Sequence, residues 1–252
     1  MATFSVATIN PLVDNSLITQ DAFDQIVDIH DQDEFTTPEI EAIGAIFTAH
    51  SVEDKYSLQL LHRHFPLPKD SLVVTEEIAP DVQVSKVTQV HDVDIGKLRG
   101  QLFYLNPQRK FQAYEYEYGD PVEFPEQFLV DLIDVVEKTG LKNRFALAST
   151  AIESGSKPSR EWEIGSQATV TVKGRIARAM DGHSISVNIL FEKKSEKGPM
   201  GFQLGSGYEE TKKGTHSVLY MVGSCSSLRS DEPFNFCEMD IVEILRAEGF
   251  IH

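Results

Sequence analysis

Between residues 57 and 119 the chain reads as a succession of short β-favouring runs with no helix between them. "SLQLLHRHF", "DSLVVTEEI", "VQVSKVTQV", "GQLFYLN" and "KFQAYEYEYG" are rich in branched, aliphatic and aromatic residues, and Pro, Gly, Asn and Asp punctuate them. "RFALASTA", "SQATVTVKGRI", "HSISVNILFE" and "HSVLYMVGS" continue the pattern later in the chain. Helical patterns appear early, centrally and late, without regular strand-helix alternation. That arrangement predicts an α+β fold with a largely antiparallel, curved sheet rather than a doubly wound parallel one.

About four helices are predicted to pack on the sheet, over 20–30, 38–50, 125–139 and 238–248. The first places Ala22, Phe23, Ile26, Val27 and Ile29 near helical spacing. In "TTPEIEAIGAIFTAHS" a threonine cap, Pro38 and Glu39 form a start signal, and Ile40, Ile43, Ile46 and Phe47 form an apolar face. "PEQFLVDLIDVVEKTG" opens on Pro125, gathers Phe128, Leu129, Leu132, Ile133 and Val136, and stops at Gly140. The last carries Ile241, Ile244 and Leu245. The 252 residues suffice for one sizeable core, and no linker is convincing, so a single domain over 1–252 is expected. The loop-like "ESGSKPSREWEIGS" marks a soft seam near 153–166.

The chain has 39 acidic residues against 23 basic ones, a formal charge of −16. Such a surface repels phosphate backbones and anionic bilayers, which predicts no nucleic-acid and no membrane partner. No run approaches the roughly 20 apolar residues needed to span a bilayer, and no secretory signal is visible. A soluble, cytoplasmic protein is therefore expected. Cys225 and Cys237 are too few for a disulfide scaffold and read as reduced thiols. The same charge admits a second reading, a non-catalytic acidic protein that binds a basic protein partner.

Candidate chemistry centres on His62 and His64 in "LLHRHF". On a strand both rings would point to one face, about 6–7 Å apart, which permits shared coordination of a divalent transition metal. Acid/base catalysis and a hydrogen-bonded structural seam are equally natural for that geometry. Glu115, Glu117, His91, His50 and His216 are candidates for a third ligand, and spacing does not choose among them.

"FQAYEYEYGD" alternates Tyr114, Tyr116 and Tyr118 on one face with Glu115 and Glu117 on the other. Tyr114 and Tyr116 suit the wall of a small-molecule pocket, and paired carboxylates suit acid/base work. The plainer reading is aromatic core packing with an acidic edge. Other motifs are incomplete. Asp31-x-Asp33 lacks the glycine and glutamate of a calcium loop, and "GSGYEE" and "GSCSS" are not nucleophile elbows. "LGSGYEETKKGTHS" lacks phosphate-loop order, and Cys225 with His216 is only a neighbour in sequence.

"LLHRHFPL", followed by "EFPEQFLVDLIDVVEKTGLKNRFAL", resembles a pattern in uncharacterised fungal cytosolic proteins. The resemblance covers the middle half of the chain and implies an intracellular protein, with no activity attached. The leading expectation is thus a small-molecule-binding protein or enzyme with a sheet-lined pocket. His62 and His64 would be its metal ligands or acid/base groups, Glu115 or Glu117 the partner, and Tyr114 and Tyr116 the walls.

Overall fold

Short loops between strongly β-favouring runs leave adjacent strands little choice but to pair as hairpins, and three such hairpins build the sheet. The computed structural model describes residues 10–28, 31, 36–79, 82–149, 159–164 and 167–173. It also describes strand pieces at 184–185, 188–189, 204–205, 209–210, 216–217 and 221–222. In chain order the elements are β1 (Val13–Asp14), α1 (Gln20–Asp24), α2 (Thr37–His50) and β2 (Ser57–Leu60). Then come β3 (Ser71–Ala79), β4 (Val82–Gln89), β5 (Leu98–Leu105), β6 (Phe111–Tyr118), α3 (Glu126–Thr139) and β7 (Phe145–Ala148). β8 (Ser159–Ile164), β9 (Ala168–Lys173), β10 (Ser184–Ile185) and β11 (Asn188–Ile189) follow.

β3–β4, β5–β6 and β8–β9 are antiparallel hairpins, while β6 runs parallel to β1 and β3. The sheet is therefore mixed, and its order is β10-β8-β9-β4-β3-β6-β5-β7-β2-β11 with β1 beside β6. It curls into a half-barrel, consistent with the α+β class. The β5–β6 turn shows why the register holds. Asn106 Oδ1 accepts from the Gln108 and Lys110 amides, both at 3.0 Å, and Arg109 takes a left-handed φ of 58°.

α2 begins as its sequence predicts, with the Thr36 amide donating to Glu39 Oε2 at 2.6 Å. α3 buries Phe128, Leu129, Leu132, Ile133 and Val136 and ends at Gly140 with φ 73°. The two helices pack through Phe47 and Phe128, edge to face at 5.1 Å, and Tyr56 stacks on Phe128 at 5.7 Å. Both phenylalanines are fully buried, each contributing roughly 1.5–3 kcal/mol of transfer free energy.

Two expectations change. α1 has five residues rather than the eleven expected over 20–30, because its continuation is claimed by the segment after β2. Asp24 Oδ1 accepts from the Leu67 amide, Ile26 O from Arg63 Nε and Val27 O from the Arg63 amide. The Ile26 and Val27 carbonyls are thus partnered by Arg63 across the fold. Secondly, part of the stretch 153–166, expected as loop, is strand: β8 pairs with β9 from Ser159↔Lys173 to Ile164↔Ala168. The helix expected over 238–248, Cys225 and Cys237 lie outside the described residues. So does most of the Asp31-x-Asp33 segment, although Asp28 is described and pairs with Arg63.

Candidate metal centre

The chain leaves β2 at Leu60, so His62 and His64 are not on a strand as expected. They still share one side, and the reason lies in the arginine between them. Arg63 is clamped to the segment after α1 through the Val27 carbonyl (3.1 Å), the Ile26 carbonyl (2.9 Å) and Asp28 (3.6 Å). In an extended backbone its neighbours then point the opposite way. The two rings meet edge to face with centroids 4.7 Å apart, and their Nε2 atoms are separated by 3.0 Å.

Glu161 of β8 completes the group. Its Oε2 lies 3.4 Å from His62 Nε2 and 3.2 Å from His64 Nε2. Ladder partners share a face of the sheet, so Glu161 shares one with Thr171, Gln83 and Glu77. Alternate residues of β3 carry that face through Thr75 to Val73, which pairs with Glu115 of β6. Glu161 and Glu115 therefore project from the same face. Buried hydroxyls lie between them, with Thr75 and Ser85 hydrogen-bonded to each other at 2.8 Å.

The protonation pattern follows from the partners. His62 Nδ1 lies 2.8 Å from Leu60 O, and a carbonyl only accepts, so Nδ1 carries the proton. In the neutral ring Nε2 is then a lone pair aimed at His64 Nε2 and Glu161 Oε2. Glu161 Oε1 is occupied by the Thr169 hydroxyl, which donates at 2.7 Å. Burial pushes the Glu161 carboxyl up, but His64 and then His62 more than offset this and hold it well below the usual carboxylate range. Three electron-pair donors converging this closely need a cation between them, either a proton or a metal ion.

The geometry fits a metal ion. A tetrahedral ion holding ligands at ~2.0–2.1 Å separates them by about 3.3 Å, and an octahedral one by about 2.9 Å. The triangle here has edges of 3.0, 3.2 and 3.4 Å. A point about 0.9 Å above its plane lies ~2.05 Å from all three atoms, a normal zinc–nitrogen or zinc–oxygen distance. Of the three ligand side chains, His62 through Nδ1 and Glu161 through Oε1 are held by outer hydrogen bonds, as ligands of protein metal sites usually are. Among the described residues these three form the group that can hold a metal.

The remaining sequence candidates separate. Glu115 lies outside the triangle but within electrostatic reach of it. Burial, then the Glu161 charge, pushes its carboxyl up to about 8, with His64 opposing. Glu117 is committed to Arg99, whose Nε donates to it at 2.9 Å. Tyr116 is structural: its hydroxyl donates to Ala113 O and accepts from the Ile18 amide, both at 2.9 Å. Tyr114 packs against Phe23 and Tyr104, and its buried hydroxyl has no hydrogen-bond partner among the described residues. His50 pairs with Asp131 at 2.8 Å between α2 and α3, and His91 lies exposed beside Asp92.

Glu161 is the site residue that sequence reasoning missed. Its signal was the period-two pattern of "SREWEI", hidden among glycine, serine and proline. No helix among the described residues is long and apolar enough to cross a membrane. Compared with protein-family models, curated proteins and solved structures, the chain matches none.

Proposed function

We propose that this chain is a metalloprotein in which His62, His64 and Glu161 bind one divalent transition-metal ion, leaving positions open for water or a small organic ligand. The observation that carries the reading is the triangle of ligand atoms with 3.0–3.4 Å edges. Two imidazoles and a carboxylate suit zinc, and equally the facial triad of Fe(II). A bound ion supplies Lewis acidity and an activated water. The chain itself orients His62 through Leu60 O, fixes Glu161 through Thr169 and buries His62. Glu115, on the same face, is the group placed to take up or return a proton.

Elemental analysis of the purified protein, before and after chelation and reloading, tests the reading. The expected result is close to one transition-metal ion per chain in the reloaded protein. Failure to retain any ion after reloading would move the three groups to metal-free proton transfer, with a shared proton on His64 holding the contact.

A further inference from the structure

We infer that metal binding at His62, His64 and Glu161 also clasps the curled sheet shut, tying the β8–β9 hairpin to the segment that follows β2. This inference rests on the metal reading above. Along the sheet β8 and β2 are separated by seven ladders, through β9, β4, β3, β6, β5 and β7. At ~4.8 Å per ladder that is about 34 Å of sheet. Yet Glu161 Oε2 approaches the two imidazoles to 3.4 and 3.2 Å. The triad therefore spans the mouth where the two ends of the curl meet.

The backbone supports the same closure. Ile185 of β10 pairs with Glu161, and Asn188 of β11 pairs with Gln59. Three residues of extended chain reach at most ~11 Å, so the two ends lie within that span. Among the described residues no ladder joins β8 directly to β2. The triad is thus the side-chain contact that joins β8 to the segment after β2 among the described residues.

Without a metal, hydrogen bonds among the two Nε2 atoms and the Glu161 carboxylate, at 3.0–3.4 Å, hold the seam at this point. With a metal, three ligand bonds replace them. The pull reaches the whole hairpin, because Glu161 is fixed to Thr169 of β9, and β9 is laddered to β4 from Val172↔Val82 to Ala168↔Lys86. Opening the seam must then break ligand bonds, so metal concentration governs how often the hairpin parts from the β2 side.

Hydrogen–deuterium exchange of the full chain, chelator-treated and then zinc-loaded, tests this, with zinc binding measured on the same samples by calorimetry. Segment 159–173 should exchange faster than the β5–β6 hairpin in the apo protein. Zinc at 100 times its Kd should slow that segment about 100-fold, since seam opening then competes with binding. His64→Ala should abolish the slowing at the same zinc concentration. Stoichiometric zinc binding with unchanged exchange over 159–173 would overturn the clasp and leave the metal reading standing. Apo exchange over 159–173 as slow as that of β5–β6 would also overturn it. No zinc binding at all would overturn both.

Discussion

Replacing Glu115 with glutamine isolates the electrostatics of the inner face without touching a ligand. Burial and the nearby Glu161 carboxylate push the Glu115 carboxyl from its ordinary 4.5 to about 8. Between those values the folded chain holds a proton that the unfolded chain has released. Stability therefore falls as pH rises through this window, with a slope approaching 1.4 kcal/mol per pH unit, and the loss is complete above the folded value. The full shift corresponds to about 5 kcal/mol, and residual water around the half-buried side chain reduces it to roughly 2–5. Glutamine cannot ionise, so Glu115→Gln lacks this loss. Urea unfolding of both proteins in chelator at each pH from 5 to 9 reads the difference. The variant should gain roughly 2–5 kcal/mol relative to wild type on going from pH 5 to pH 9. Parallel stability curves for the two proteins would show that Glu115 titrates as an ordinary carboxylate and does not feel Glu161. Zinc should lower the slope of the wild-type curve only in part, because a cation beside Glu161 offsets that carboxylate's field and leaves the larger cause, burial, in place.

Thr169→Val deletes the hydroxyl that donates to Glu161 Oε1 while keeping the side chain's shape. It should weaken zinc binding roughly 10–100-fold in a calorimetric titration, with α2 and α3 unaffected. Phe128→Ala empties the junction of Phe47, Tyr56 and α3, where the ring is fully buried, and should cost about 3–5 kcal/mol of unfolding free energy by urea titration.

The legible parts of this chain are those whose code is local. α3 could be read almost residue by residue, since five apolar side chains at helical spacing between Pro125 and Gly140 leave little room for another structure. The runs that became β3, β4, β5 and β6 were equally plain, each alternating or apolar and each bounded by turn residues. The closeness of His62 and His64 was legible, but its cause was not. It comes from Arg63 being held by residues 26–28, a contact that also cuts α1 short. Glu161 stands 99 residues after His62 and reaches it only through the curl of the whole sheet, which no local pattern encodes. Glu117 and Tyr116 were plausible site residues by spacing, and Arg99 and the Ile18 amide determine their roles instead.

Because His62, His64 and Glu161 are claimed as one site, zinc titrations of wild type and of His62→Ala, His64→Ala and Glu161→Gln measured side by side are decisive. One zinc per wild-type chain is expected, with affinity lowered at least ~100-fold, about 2.7 kcal/mol, in each variant. Glu161→Gln carries the most weight, since its place in the site comes from the fold alone. If that variant binds zinc as tightly as wild type, the three residues do not form a shared metal centre.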